Sequence, residues 1–247
     1  MTLFRALFTA FCASVLALAN PAIASPDTFI DIHEEPIGIS GTHLFLLRTA
    51  TDNLGYHEAL RAEIFLIVQD LRSGEEEVIV VDKFVHSSDY TDDGDLVGYS
   101  IKRDAGIESV DPYRILRARG ALPWTAALTA PKSSPTAKIT MHDGAVQVQF
   151  DAGSALRITH EDIQAKLNHV GRFMAENVAD HPRSASMTTK QFFEERTVSA
   201  EHCYHAESLG FWVLCKGDQP PLMRVHCAYD DDSETTSVIV QPPAAQE

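Results

Sequence analysis

The stretch from Glu63 to Val85 reads EIFLIVQDLRSGEEEVIVVDKFV, and it decides the fold. Two apolar, β-branched runs flank a short turn that contains Gly74, which predicts a β-hairpin. Because both runs are continuous rather than alternating, we expect protein to cover both faces of these strands. The stretch therefore predicts a hairpin in the core of a sheet, and it says nothing about activity.

A second hairpin is predicted further along the chain. Residues 138–142 and 145–150 flank the dipeptide Asp143-Gly144, which tolerates the positive φ of a type I′ turn. Apolar residues alternate with glutamines in the second run, so we expect one buried and one wet face. Shorter runs predict further strands at 28–32, 43–51, 95–103, 113–119, 155–159, 199–207, 211–216, 222–229 and 236–241.

One long helix is predicted to begin after the N-cap Thr159. Apolar residues then recur at helical spacing, as Ile163, Leu167, Val170, Met174 and Val178. Gln164 and Lys166 fall off this stripe, and we expect both to tolerate replacement by Ala. The predicted fold is mainly β (α+β), with antiparallel β-rich lobes and this amphipathic helix packed on a sheet. A second, short helix is expected after Thr189.

The chain is predicted to have two lobes. We divide it into a signal peptide (1–24), a β-rich lobe (25–130), a linker (131–136), a β-rich lobe with the long helix (137–241) and a flexible tail (242–247). The linker holds two prolines and two serines, with no apolar residue between Pro131 and Pro135. The alternative is one continuous mixed sheet, in which this segment is a surface loop.

The N-terminus predicts export. Arg5 precedes an apolar run over residues 6–18, and Ala22-Ile23-Ala24 is a small-residue cleavage site, as in secretory signal peptides. The run is shorter than the ~20 residues that span a bilayer. We therefore expect cleavage near Ala24 and a soluble protein in the periplasm or secreted space, with no membrane span.

The charge of the chain restricts its partners. The formal net charge is −15 at pH 7, spread over several acidic clusters. A strongly acidic protein is repelled by phosphate backbones, so nucleic acid is not an expected partner. We expect a protein or a small-molecule ligand instead, and the sequence does not identify it.

Three cysteines lie close together in the C-terminal part of the chain. Cys203, Cys215 and Cys227 are twelve residues apart, and the histidines His202, His205 and His226 lie beside them. In an oxidising compartment this composition favours one disulfide and one spare thiol. The alternative is a zinc or copper site, because thiolate and imidazole ligands suit these metals.

The pairing of the cysteines depends on the register of one hairpin. A three-residue loop over 208–210, with Gly210 in its last position, would place Cys203 opposite Cys215. Directly opposed residues lie within disulfide reach. The sequence therefore predicts a Cys203–Cys215 disulfide and a free Cys227, although a two-residue turn would place the first two cysteines on opposite faces.

The acidic segment Asp89–Asp95 resembles a calcium loop only in part. Aligning Gly94 with the loop glycine puts Thr91 and Ser100 at positions where carboxylates are needed. We expect a turn between two strands that does not hold Ca²⁺ tightly.

The chain contains no G-x-S-x-G, no phosphate-binding G-x-x-x-x-G-K-[ST] and no H-E-x-x-H motif. We therefore expect a non-enzymatic binding or interaction protein of the periplasm or secreted space, without a cofactor. The alternative is a metal-binding protein or metalloenzyme that holds zinc or copper in the stretch 202–227.

Overall fold

This computed structural model describes residues 29–55, 59–91, 93–123, 137–150, 155–182, 187–210, 222–229 and 233–240. The strands are β1 (Ile30–Ser40), β2 (His43–Asp52), β3 (Ala59–Asp70), β4 (Glu76–Tyr90), β5 (Leu96–Arg103), β6 (Leu122–Pro123), β7 (Ala137–His142), β8 (Ala145–Phe150), β9 (Ala155–Ile158), β10 (Cys203–Gly210), β11 (Leu222–Ala228) and β12 (Glu234–Val240). The helices are α1 (Pro112–Ala118), α2 (His160–Asn177) and α3 (Thr189–Glu195), with a 3₁₀ turn at Ala200–His202.

Among the described strands, nine form one large sheet in the order β10-β11-β12-β1-β2-β3-β4-β5, with β6 also paired to β1. Its neighbours are antiparallel except β1 and β12, which run parallel. Strands β7, β8 and β9 form a small antiparallel sheet. The structure confirms the predicted fold class, β-rich with antiparallel pairing and a helix packed on a sheet.

The central hairpin, β3 and β4, forms as predicted, but its second strand is less covered than expected. Phe65, Leu66 and Ile67 are fully buried, whereas Val78 and Val80 are 39% and 37% exposed. Val80 stands opposite Phe65 in the sheet, and the ring of Phe65 packs on Phe173 of α2. Helix α2 therefore covers this part of β3 but not the part of β4 beside it.

Helix α2 is built as the sequence predicts. The side chain of Thr159 accepts a hydrogen bond from Asp162 N, and the Asp162 carboxylate accepts one from Thr159 N, which completes a capping box. Its buried residues are Ile163, Leu167, Val170, Phe173 and Met174. The short helix α3 also forms, and its N-cap is Thr188.

The prediction of a strand at 113–119 is wrong, because this segment forms α1. Asp111 caps the helix by accepting a hydrogen bond from Tyr113 N, and Pro112 occupies its first turn, where proline needs no N–H partner. Leu116 is buried against the large sheet together with Phe45 and Leu66. A Cβ at Gly38 would overlap the side chain of Leu116, so the close approach of α1 requires glycine there.

The predicted signal peptide, linker and tail lie outside the described residues, and the division into two lobes stays a prediction. The large sheet is shared by strands from both sides of the linker, since β12 pairs with β1 at Ile32–Thr235 and His33–Thr236. In the part of the chain that the structure describes, no helix has the length and apolar character needed to cross a membrane.

Candidate functional site

The predicted cysteine pairing is wrong. The disulfide joins Cys203 to Cys227. Strand β10 continues through Gly210, so residues 208–210 are strand and not the predicted loop, and its partner is β11. Cys203 stands directly opposite Cys227 in that register, and both are buried. Cys215 lies outside the described residues.

The disulfide leaves neither Cys203 nor Cys227 as a thiolate that could bind a metal. A cysteine binds a metal through its thiolate, and the sulfurs of Cys203 and Cys227 are bonded to each other instead. The rings of His205 and His226 face each other across β10 and β11 with centroids 5.3 Å apart, while His202 lies exposed in the 3₁₀ turn. Within the described ranges, no three His, Cys, Asp or Glu side chains form a group that could hold a metal ion.

The imidazole of His226 belongs to a row of polar side chains across the large sheet. Its Nδ1 lies 3.2 Å from Thr236 Oγ1, and Thr236 pairs with His33 on β1. Burial and the nearby Arg224 lower the pKa of His33. The row therefore presents an uncharged His33 at neutral pH, on the face of the sheet opposite the buried disulfide.

The acidic segment forms the predicted turn between β4 and β5. Gly94 has a φ of +84°, its N–H donates to Thr91 O, and Asp95 N donates to Thr91 Oγ1. Thr91 thus organises the turn through its own oxygens, and Asp92 lies outside the described residues. That this segment does not hold Ca²⁺ tightly stays a prediction.

A concave site in the described part of the chain is a groove along α2, between this helix and the segment 193–198, which we call the α2 groove. Its volume is about 700 Å³. Its buried and half-buried lining is apolar and consists of Leu167, Ala175, Phe193, Val198 and Tyr229, together with Gly171. Its exposed lining is more polar and consists of Ala165, Asn168, Arg172, Glu194, Arg196 and Thr197.

Small side chains on α2 keep the groove open. A Cβ placed on Gly171 would meet no atom within 4 Å, so the space beside this residue is empty. Ala175 follows one helical turn later, on the same side of the helix. A larger side chain at either position would project into the groove.

The inner wall of the groove is uncharged, and its rim carries cations. Burial raises the pKa of the Tyr229 phenol well above its usual range, so the group stays neutral. The Tyr229 ring packs 5.5 Å from the Phe192 ring, and the Arg196 guanidinium lies 5.4 Å from the same Phe192 ring. With Arg172 also exposed on the rim, the groove combines an apolar interior with positive charge at its mouth.

Helix α2 is fixed on the sheet by a buried ion network centred on Glu34. This carboxylate is fully buried and accepts hydrogen bonds from Arg48 Nε at 2.7 Å, Lys166 Nζ at 3.1 Å and Val238 N at 2.7 Å. Burial alone would raise the pKa of Glu34, but Lys166 and Arg48 together lower it below its usual value. The network ties α2, through Lys166, to β1, β2 and β12.

The same network extends to β4. Arg48, also fully buried, forks onto Glu76 at 3.1 and 3.2 Å, and His169 Nε2 lies 3.0 Å from Glu76. Burial opposes ionisation of Glu76, but His169, Arg48 and Lys166 outweigh it and lower its pKa to about 2. The Arg48 guanidinium also stacks 4.3 Å from the centre of the Phe173 ring. Three residues of α2, Lys166, His169 and Phe173, therefore contact Arg48 or its carboxylate partners.

A second network holds the C-terminal end of α2. Lys83 Nζ donates to Asn177 O at 2.7 Å, which satisfies a carbonyl left free at the helix end. Glu63 binds Lys83 at 2.8 Å and accepts from Ala179 N at 3.0 Å, just beyond the helix. Arg61 completes the cluster by bridging Glu63 and Asp104. Both networks fix α2, and so they fix one wall of the groove.

Comparisons with protein-family models, with curated proteins and with solved structures found no match to this chain.

Proposed function

We propose that this chain is an exported, non-enzymatic binding protein whose ligand occupies the α2 groove. The observation that carries the proposal is the lining of that groove. Ligand sites in proteins are concave, enclose about 300–1,000 Å³, and combine an apolar wall with a few polar groups that orient the ligand. A groove of about 700 Å³ with Leu167, Phe193 and Tyr229 inside and arginines at the rim fits this description.

The lining also indicates the class of ligand. The interior offers apolar and aromatic contacts, while Arg172 and Arg196 outnumber Glu194 among the charged rim residues. Guanidinium groups bind carboxylate, sulfonate and phosphate oxygens with charge-assisted hydrogen bonds. The ligand that fits is a small apolar molecule with one anionic end.

Export is supported by the pattern of residues 1–24 and by the buried Cys203–Cys227 disulfide, since disulfides persist in oxidising compartments. We expect the mature protein to begin at Ser25 or within a few residues of it. N-terminal sequencing of the exported protein tests this, and a product that begins at Met1 or Thr2 contradicts it.

Binding is tested with two fluorescent probes that share their aromatic rings and differ in charge. These are 1-anilinonaphthalene-8-sulfonate, which is anionic, and N-phenyl-1-naphthylamine, which is neutral. We expect both to bind, and we expect Gly171→Leu to abolish both because the new side chain fills the groove. Glu176→Leu, on an exposed position of the same helix, is the matched control and leaves binding unchanged.

The role of the rim is tested by Arg172→Ala. We expect this change to weaken binding of the anionic probe and to leave the neutral probe unaffected. Equal binding by the parent and by Gly171→Leu would exclude the groove as the site. Near-stoichiometric zinc or copper in protein purified from its native compartment would instead support the metal-binding alternative.

A further inference from the structure

His181 lies just beyond the end of α2, beside the cluster of charges that fixes this end of the helix. Its Nε2 is buried and has no hydrogen-bond partner among the described residues. Its backbone carbonyl accepts a hydrogen bond of 3.1 Å from the N–H of Thr189, the first residue of α3. The backbone of His181 thus holds the start of α3, while its ring carries a buried nitrogen that lacks a partner.

The start of α3 has a second attachment, to a buried carboxylate of the large sheet. Thr189 Oγ1 donates to Asp52 Oδ2 at 2.7 Å, and both side chains are buried. The other oxygen of this carboxylate accepts a hydrogen bond of 2.7 Å from Leu54 N, which fixes it to the turn after β2. Two hydrogen bonds therefore anchor α3 through Thr189, one to the backbone of His181 and one to Asp52.

The charged groups that face His181 come from three places in the large sheet. They are Asp52 at the end of β2, Arg61 and Glu63 on β3, and Asp104 after β5. Arg61 binds Glu63 at 2.8 Å and Asp104 at 2.7 Å, and Lys83 of β4 binds Glu63 at 2.8 Å. Glu63 and Asp104 already have cations as partners, so neither is placed to neutralise a further charge on His181.

A proton added to the His181 ring is unfavourable in this position. An imidazolium donates from both of its nitrogens, and Nε2 is buried without an acceptor in the described part of the chain. Leaving a buried donor unpaired costs free energy, and more so when the group is charged. Burial and then Arg61 lower the pKa of His181 below its usual 6.5, although Glu63, Asp104 and Asp52 oppose this shift.

We propose that His181 is a pH switch for the α2 groove, in which the charged ring leaves its buried position in acid and its backbone releases Thr189. Helix α3 carries Phe193, and the segment 193–198 forms one wall of the groove. When the start of α3 is released, this wall moves and the ligand leaves. The inference rests on the proposed function, because it concerns the regulation of the same groove.

The direction of the effect follows from the lowered pKa. A ring that is exposed to water takes up a proton more readily than the same ring in its buried position. The neutral ring therefore favours the anchored form above pH 6.5, and this preference is lost as the pH falls below 6.5. Ligand binding should be tight at neutral pH and weak in acid.

Binding of N-phenyl-1-naphthylamine at pH 7.5 and at pH 5 tests the switch, because this very weak base stays neutral at both. We expect the parent to bind at least about fivefold more weakly at pH 5, the lower end of usual coupling between two sites. His181→Gln should bind at both pH values as the parent does at pH 7.5. His142→Gln, which removes a histidine that is 87% exposed, is the matched control and keeps the pH dependence. Equal affinity of the parent at both pH values, or an unchanged pH dependence in His181→Gln, overturns the proposal.

Hydrogen exchange separates the switch from the proposed function. Absence of probe binding at pH 7.5 would contradict the proposed function, whereas exchange of the α3 amides reports on the anchor without a ligand. After correction for the intrinsic effect of pH, this exchange should be faster at pH 5 in the parent and equal at both pH values in His181→Gln. Thr189→Val, which removes the bond to Asp52, should speed the exchange already at pH 7.5. Equal protection of α3 at both pH values in the parent overturns the switch, whether or not the probe binds.

Discussion

Besides its apolar packing on the large sheet through Val170, Phe173 and Met174, helix α2 has two interfaces that differ in chemistry. In the apolar interface, Ile163 and Leu167 pack with Val146 and Val148 of the small sheet and with residues of β10 and β11. In the charged interface, the two networks centred on Glu34 and Glu63 contact Lys166, His169 and the C-terminal end of the helix.

The difference teaches what each interface contributes. Apolar burial is non-directional, so it stabilises the helix without fixing its exact position along the sheet. The charged interface is directional and costs desolvation, so its geometry has to be met in full. We infer that the apolar interface supplies stability and that the charged interface sets the position of α2, and therefore the width of the groove.

The largest expected effect is that of Arg48→Ala. This change leaves Glu34 without its closest cation, at 2.7 Å, and leaves Glu76 with His169 alone among its close partners. Breaking a buried pair by removing one member costs about 3–5 kcal/mol. Urea unfolding measures this loss. A loss below about 1 kcal/mol, the size expected of an exposed ion pair, would contradict the importance of the charged interface.

Leu167→Ala tests the apolar interface, where the side chain is buried. We expect the free energy of unfolding to fall by about 2–5 kcal/mol, as for other truncations of buried leucines. Glu176→Ala, on an exposed position of the same helix, should change it by less than about 0.5 kcal/mol. Equal effects of the two changes would show that this side of α2 is not packed as described.

Removing the disulfide by replacing Cys203 and Cys227 with Ala should destabilise the sheet beside the apolar interface. The bridge spans 24 positions of sequence, and closing a loop of this size is worth about 3.5 kcal/mol. Peptide mapping without reduction should find the Cys203–Cys227 cross-link in the parent protein. A cross-linked peptide that contains Cys203 and Cys215 would contradict the register of β10.

Lys166→Ala should be costly, contrary to the expectation from the sequence. Its Nζ contacts the buried Glu34 at 3.0 and 3.1 Å, and loss of a hydrogen bond to a charged group costs about 1.5–3 kcal/mol. Lys190→Ala on α3, whose side chain is 44% exposed and makes a loose ion pair at 3.9 Å, is the control and should change stability by less than about 0.5 kcal/mol. Thermal or urea unfolding of both variants measures the contrast.

The smallest expected effect appears only as the pH falls. The charged interface should then lose stability, and the apolar interface should not. Folding lowers the pKa of Glu76 from 4.5 to about 2. The charged carboxylate therefore stabilises the folded protein above its unfolded pKa, and this stabilisation is lost as the pH falls towards 2. The parent should therefore lose stability across this window, and Glu76→Gln should lose less. Leu167→Ala should carry the same penalty at pH 7 and at pH 4, because no titrating group is removed. An unchanged acid profile in Glu76→Gln would contradict the role given to this carboxylate.

Local signals were enough to predict the elements that are specified by turn residues and capping side chains close together in the sequence. The Asp143-Gly144 turn forms with φ of +50° and +68°, and the capping box at Thr159 starts α2 at the expected residue. In contrast, the strand predicted at 113–119 was wrong, although Asp111 and Pro112 together are a local helix-start signal. Ile115 and Leu116 between two arginines are a weaker signal than the Asp111 cap and the proline that follows it.

The site was less predictable than the fold. None of the groove residues formed a motif. The small residues Gly171 and Ala175 line a groove only because the segment 193–198 lies opposite them. Lys166 is three residues after Ile163 and four before Val170, so it borders the apolar stripe and reaches the sheet. The sequence could not show that the buried carboxylate of Glu34, on β1, would lie there and form an ion pair with Lys166.

The sequence by itself determined the hairpins, the amphipathic helix and its cap, because periodicity, turn residues and capping side chains act within a few positions of each other. Tertiary structure alone decided which cysteine faces Cys203, because that depends on β10 continuing to Gly210 and pairing with a strand more than ten residues away. It alone also brought Glu34, Arg48 and Lys166 together, from positions up to 132 residues apart. Such contacts are decided by how the strands and helix pack, and local patterns carry no information about that.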